Sequence, residues 1–338
     1  SRGLGDVYKR QGVLRNISRK KETISYPKKD KNLVTYLSVT YSIPEWIIKF
    51  FMKTYDGETV EKIIESYLED KKTTLCCLMS KGGKDVIRKE LEEENVTVED
   101  GELIENAVKI SDYDFLYRLR AFREGKCYVQ DESSMLCAKL AGAKEGQFVM
   151  DLCSAPGGKS LYTADQMKGS GQVLSRDLTE YKTDLIEDNI ERMGLNNMEA
   201  EVFDATILDE EHIEAADVVI ADVPCSGLGI MGKKNDIKYH ISEDGMKNLV
   251  KLQREILTNA VQYVKHGGTL IYSTCTINPE ENEKNMQWII NNFDYEAVDI
   301  TEELPKNLKI ETAKDGYIQL LPGVHPCDGF FIAKLRRK

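Results

Sequence analysis

Between residues 147 and 275 the chain returns five times to one pattern: a short apolar run, a polar residue or cysteine near its end, then a longer stretch with helical spacing. The runs are "QFVMDLC" (147–153), "GQVLSRD" (171–177), "EAEVFD" (199–204), "ADVVIADV" (216–223) and "GTLIYSTC" (268–275). Strands that alternate with helices are joined by crossovers, which set the strands parallel and cover both faces of the sheet with helices. An α/β architecture over residues 126–338 follows. The end of the chain changes character, because "YIQLLP" (317–322) and "GFFIAKL" (329–335) flank a turn-rich loop, as in an antiparallel hairpin.

In an open α/β sheet, ligands bind outside the carboxyl ends of the strands, so the residues that close each strand carry the functional reading. "DLCSAPGGKS" (151–160) follows the first strand and opens a helix, and its two glycines let the backbone approach a ligand closely. It matches neither the dinucleotide fingerprint G-x-G-x-x-G nor the P-loop, which would need a glycine at Cys153. Asp177 ends the second strand, where a carboxylate is suited to the two hydroxyls of a ribose. Asp204 ends the third, placed for the amino group of an adenine, and Asp222 ends the fourth. Each acid alone also reads as a loop cap. Together with the glycine loop they point to one shared ligand with an adenine, a ribose and no phosphate. S-adenosylmethionine fits, and its sulfonium cation suits an acidic rim. The expected cofactor set is Cys153, Ser154, Ala155, Pro156, Gly157, Gly158 and Lys159, with Asp177, Asp204 and Asp222.

Residues 33–125 read as a smaller α+β unit. Helices are expected at "IPEWIIKFFMKTY" and "ETVEKIIESYLED", a strand at "TTLCCLMS" and a helix at "KDVIRKELEEEN". "SRGLGDVYKRQ" (1–11) lacks apolar periodicity and reads as an appended tail. "GVLRNISRK" reads as the end of a helix.

The net charge of −11 is unevenly spread. Residues 1–31 hold ten Lys/Arg against three Asp/Glu, a local excess of +7 that leaves −18 for the rest, so overall charge neither supports nor excludes an RNA substrate. Eight cysteines without a C-x-x-C pair, and four histidines that do not cluster with them, argue against a zinc site and a disulfide framework. No metal and a reducing, cytoplasmic setting are expected. No apolar run approaches the roughly 20 residues of a membrane span. His212, His240, His266 and His325 read as surface or packing residues.

Two cysteines stand at strand ends: Cys225 in "ADVPCSGLGIMG" (221–232) and Cys275 in "YSTC" (272–275). Either suits a nucleophile by residue type, and either is also a small buried hydrophobe in the bland reading.

"DLCSAPGGKS", "DVPCSGLG" and "YSTCTINPEENE", in this order, resemble the motifs of the RNA 5-methylcytosine methyltransferases, in particular those that act on small-subunit ribosomal RNA. "YVQDESSMLCAKL" (128–140) and "DGFFIAKL" (328–335) match as well. The resemblance implies a Rossmann-like S-adenosylmethionine-dependent methyltransferase fold, a mostly parallel seven-stranded sheet with an antiparallel terminal hairpin, over 126–338. It implies a small ferredoxin-like α+β domain over 33–125, and a tail with the remnant of a NusB-like helical RNA-binding domain over 1–32. It further implies a monomer whose partner is ribosomal RNA.

Carbon 5 of cytosine is too electron-poor to attack a methyl sulfonium until a nucleophile adds at carbon 6, a step that suits a thiolate. By resemblance that nucleophile is Cys275, while Cys225 assists release of the product. Asp222 is placed to engage the ring nitrogen of the base, and Lys159 to orient the base or lower a thiol pKa. One departure is "GKKNDIKY" (232–239), which stands where the family carries Arg-Arg-x-Pro-Asp-x-Lys-Trp. Charge is kept at Lys233 and Lys234, but the bidentate arginine geometry is lost. Competing readings are action on tRNA or another RNA, a non-catalytic RNA-binding assembly factor, a nicotinamide-dependent dehydrogenase, and an amino-group methyltransferase. The missing G-x-G-x-x-G opposes the dehydrogenase, and "DVPC" opposes the amino-group enzyme.

Overall fold

The computed structural model describes residues 4–23, 25–69 and 72–338; Ser1–Gly3 of the expected tail and Asp70 of an expected helix lie outside them. Two compact units are present, Ser1–Ile64 and Glu65–Lys338.

The first unit is helical. Leu4–Lys20 form one helix, so the region read as a tail is ordered from Leu4. Apolar periodicity signals a helix with a buried face. This one is exposed at every residue described beyond position 7, and rests on the helix-forming character of its Leu, Lys, Arg and Gln residues. Helices Leu33–Tyr41, Glu45–Phe51 and Gly57–Ser66 follow, with Leu37, Ile47, Phe51, Val60 and Ile63 buried.

The second unit holds two sheets. The smaller comprises β1 (Thr73–Cys77), β2 (Thr97–Asp100), β3 (Ala107–Ser111) and β4 (Cys127–Val129), all antiparallel in the order β2-β3-β1-β4. Cys76 and Cys77 on β1 are both buried, one on each face, as packing residues.

The larger sheet contains β5 (Phe148–Asp151), β6 (Gln172–Asp177), β7 (Met198–Val202), β8 (Ala216–Asp222), β9 (Val264–Thr274), β10 (Tyr295–Ala297), β11 (Tyr317–Leu320) and β12 (Phe330–Arg337). Seven strands run in the order β10-β12-β9-β8-β5-β6-β7, and β11 pairs with β12 as the expected antiparallel hairpin. β5 to β9 pair in parallel, whereas β12 runs antiparallel to β9 and β10.

Alternation along the parallel strands separates two cores. Val149, Val173, Val218 and Ile271 face one layer, with Met135, Leu161 and Ile186 from the helices Glu132–Ala141, Gly158–Gln166 and Glu180–Met193. Met150, Leu174, Val219 and Leu270 face the other, with Leu257 and Ile289 from helices Glu243–Tyr263 and Glu283–Asn292. Each fully buried Leu, Ile or Val side chain contributes about 1.5–3 kcal/mol, and strands covered on both faces therefore read as nearly continuous apolar runs.

The chain moves outward from β5 through β6 to β7, then returns to the other side of β5 for β8 and β9. That reversal opens a crevice beyond the ends of β5 and β8, where Asp151 and Asp222 lie. Among the described residues, no helix is long and apolar enough to cross a membrane, and no group of three or more His, Cys, Asp or Glu forms a metal site.

Candidate active site

The loop after β5 is held by backbone and side-chain bonds from the next strand. Ser154 N–H donates to the Arg176 carbonyl (2.9 Å), and Ala155 N–H donates to Asp177 Oδ2 (2.9 Å). Gly157 adopts φ +100°, a left-handed conformation that other residues rarely adopt, and from it the chain enters the Gly158–Gln166 helix. Asp151 is 1 % exposed: its Oδ2 accepts from Ser160 Oγ (2.7 Å), while the buried Oδ1 has no hydrogen-bond partner. Burial pushes its pKa up to about 6. Burial also pushes the Cys153 thiol up, with Asp151 and Asp177 adding to the effect.

Asp177 is nearly buried and joins the loop to the end of β6. Its Oδ1 accepts from Leu178 N–H and the Lys182 ammonium, both at 2.8 Å. Asp204 lies two residues beyond β7, and its Oδ1 accepts from Thr206 N–H (2.9 Å) and Oγ1 (2.7 Å), so it caps its own turn. An orphaned acceptor on Asp151 beside strand-end carboxylates fits a ligand that brings hydroxyl and amino donors and a cation, as S-adenosylmethionine does.

On the other side of the crevice, Lys159 Nζ lies 2.5 Å from Asp222 Oδ2 and 5.2 Å from the centroid of the Phe330 ring. Burial lowers the Lys159 pKa, but the Asp222 charge outweighs it and holds the ammonium well above its ordinary value. Ser273 Oγ donates to Asp222 Oδ1 (2.9 Å) across the β8/β9 pairing. Three residues beyond Asp222, Cys225 Sγ comes within 3.3 Å of Cys275 Sγ, just after β9, and both are free thiols. The hydrogen bond with Cys275, then burial, raise the Cys225 thiol well above its ordinary value. Gly229 N–H donates to the Cys275 carbonyl (3.1 Å), and this loop passes so close to Gly329 that a Cβ on Gly229 would lie 2.1 Å from the Gly329 carbonyl oxygen.

An open cavity of about 630 Å³, lined by none of Lys159, Asp222, Cys225 and Cys275, includes Asp131, Lys233 and Asp328 in its lining. Lys233 Nζ pairs with Asp131 Oδ2 (3.0 Å) and Asp328 Oδ2 (2.6 Å), so its charge is committed to two carboxylates of the chain. Burial opposes ionisation of Asp131, but Lys233 and bonds from Ser133 and Asp328 hold its pKa down at about 2.

The crevice thus brings together Lys159, Asp222, Cys225 and Cys275, and the loop 153–158 is tied to Asp177, whereas Asp204 caps a separate turn. Sequence reasoning passed over Asp151, although it ends its strand as Asp177 and Asp222 do. It also passed over Glu281, which lies within the quoted "NPEENE" and is fully buried beneath the two cysteine loops. His212 bonds to Asp209 (2.6 Å), outside this constellation.

A family model described as 16S rRNA methyltransferase RsmB/F matches residues 138–336. The chain is 36% identical over 332 residues to a Bacillus subtilis (strain 168) protein described as "Probable ribosomal RNA small subunit methyltransferase B", spanning 97% of this chain and 73% of that one. It is 33% identical over 217 residues to the ribosomal RNA small subunit methyltransferase F of Klebsiella pneumoniae (strain 342), over 63% of this chain and 45% of the relative. The chain thus spans less than half of that second relative's length. The crystal structure of PH0851 superposes with a TM-score of 0.84 at 30% identity, over 94% of this chain and 71% of that one.

Proposed function

The chain belongs to the 16S rRNA methyltransferase RsmB/F family, and on that premise we propose that it methylates carbon 5 of a cytidine in small-subunit ribosomal RNA through a covalent adduct on Cys275. The observation that carries this reading is the 3.3 Å approach of the Cys225 and Cys275 sulfurs, at the ends of neighbouring strands and beside the Lys159–Asp222 pair. A single thiol would suffice for packing, but two thiols in contact at a crevice suit addition and release at one ring.

Bound S-adenosylmethionine supplies the methyl group. Ala155, Gly157, Gly158 and the Asp177 carboxylate, tied together by the Ala155 N–H bond to Asp177, would hold it, with Asp177 suited to the ribose hydroxyls. The Cys275 thiolate adds to carbon 6 of the base. The proton that Cys275 gives up is taken up at the ring nitrogen, which neutralises the electron density that the addition pushes into the ring, and Asp222, held by Lys159 and Ser273, accepts the hydrogen bond of the resulting N–H. After methyl transfer carbon 5 gives up its proton to water in the open crevice, its electron pair re-forms the ring double bond, the carbon–sulfur bond breaks with its electron pair returning to the Cys275 sulfur, and the ring nitrogen gives its proton back. Cys225, kept as a thiol by its contact with Cys275 and by burial, donates a hydrogen bond to the departing sulfur. In this reading residues 126–338 form the catalytic domain.

Bisulfite sequencing of small-subunit ribosomal RNA incubated with the chain and S-adenosylmethionine tests the proposal. A cytidine newly resistant to conversion, absent with Cys275→Ala, is expected. Complete conversion at every cytidine would reject the reading.

A further inference from the structure

Glu281 is a buried carboxylate that the chemistry above does not use. It is fully buried and makes no ion pair among the described residues. Four donors converge on it. Ser226 N–H (2.9 Å) and Gln253 Nε2 (2.9 Å) reach Oε2, and Ser226 Oγ (2.5 Å) and Asn278 Nδ2 (2.8 Å) reach Oε1. Because the Ser226 hydroxyl proton is given to Glu281, the Thr276 hydroxyl 2.7 Å away donates to Ser226.

These bonds bracket both thiols. Gln253 Nε2 also donates to the Pro224 carbonyl (2.9 Å), so the residues on each side of Cys225 are tied to Glu281 or to its partner. On each side of Cys275, Thr274 Oγ1 donates to Asn282 Oδ1 (2.6 Å) and the Thr276 carbonyl accepts from Asn282 Nδ2 (3.0 Å). The Tyr272 hydroxyl closes the network by donating to the Glu281 carbonyl. Two loops fifty residues apart in sequence therefore share one anionic anchor.

We propose that Glu281 is a positioning residue that fixes the separation of Cys225 and Cys275 and places a negative charge beside Cys225. The proposal rests on the reading of these cysteines as the reacting groups. A carboxylate suits this place because all of its neighbours donate, whereas a glutamine would turn an amide N–H₂ toward Gln253 or Ser226. With no cation paired to it among the described residues, its charge adds to the Cys275 contact and the burial that already disfavour a thiolate at Cys225.

The test compares the full chain with Glu281→Gln and Glu281→Asp. Alkylation of each thiol by iodoacetamide is followed by peptide mass spectrometry across the alkaline range, without RNA. Glu281→Gln is expected to move the Cys225 profile to lower pH, so that alkylation below the midpoint is faster than in the parent chain. Glu281→Asp keeps the charge and shortens the reach, so its profile stays near that of the parent chain while kcat for RNA methylation falls about tenfold or more at unchanged KM. A Glu281→Gln profile that superimposes on the parent, in a folded protein, overturns the proposal. If Glu281→Gln does not fold, Ser226→Ala removes the hydroxyl that links Thr276 to Glu281. A several-fold loss of kcat at unchanged KM supports the proposal, and an unchanged kcat overturns it. A parent chain that methylates no ribosomal RNA would sink the functional reading alone, since the alkylation profiles still report on Glu281.

Discussion

Replacing Asp222 by Asn leaves the Lys159 ammonium buried without its counter-charge. Lys159 is 9 % exposed and lies 2.5 Å from Asp222, whose side chain keeps 24 % exposure. At an effective dielectric of about 20, unit charges about 4 Å apart attract by about 4 kcal/mol, and removing one partner of a buried pair costs about 3–5 kcal/mol. The partial exposure of Asp222 places this pair at the lower end, about 3 kcal/mol. In the parent chain the folded-state pKa of Lys159 is raised, so its stabilisation is fully present below the unfolded value and is lost only as pH rises through the folded one. In Asp222→Asn the burial cost is opposed only by the weaker pull of more distant groups such as Asp151, and a loss of about 3 kcal/mol lowers the Lys159 pKa by roughly two units from its raised value. The variant's penalty is therefore full near neutrality, where Lys159 keeps its proton in both chains, and fades only in the strongly alkaline range. Urea denaturation near pH 7 should show a gap of about 3 kcal/mol that keeps its size near pH 9. A gap below about 1 kcal/mol near pH 7, or one that has closed by pH 9, would refute the assignment of a buried, charge-dependent pair.

Asp177→Ala removes the acceptor that holds Ala155 N–H and the expected ribose contact, so calorimetry should show S-adenosylmethionine binding at least about tenfold weaker; unchanged affinity rejects the ribose role. Gly229→Ala forces a Cβ against the Gly329 backbone, where neither side can yield, and should lower stability by about 1–3 kcal/mol in thermal or urea unfolding. Gly12→Ala, with open space around its Cβ, is the control, and equal stability losses in the two would contradict the close approach.

The parallel strands were legible to within a few residues because strands covered on both faces carry unbroken apolar runs that end in polar groups. β10 and β4, with three residues each, are too short to show a period, and β2 has only four. The start of the Leu4–Lys20 helix escaped, although "GVLRNISRK" was read as a helix end, because no side chain described from Tyr8 onward is buried. At the site, spacing could nominate Cys225 and Cys275 but could not bring them together. Their contact arises from the adjacency of β8 and β9, a property of the sheet order. The same pairing brings Ser273 to Asp222, and the Lys159–Asp222 partnership depends on helix placement above the sheet. Asp204 was read as a ligand contact and as a loop cap, and the structure shows the cap bonds. In "NPEENE" nothing distinguishes Glu280 from Glu281, yet the first is exposed and the second is fully buried, because the turn after β9 directs only one of them beneath the loops.

The roles of the two thiols are tested most directly by covalent trapping. Cys275→Ala and Cys225→Ala are each incubated with small-subunit ribosomal RNA and S-adenosylmethionine and run on a denaturing gel. If Cys275 adds to carbon 6 and Cys225 serves release, Cys275→Ala shows no protein–RNA band and no methylation, while Cys225→Ala accumulates protein bound to methylated RNA. A band from Cys275→Ala and none from Cys225→Ala would make Cys225 the nucleophile and contradict the account.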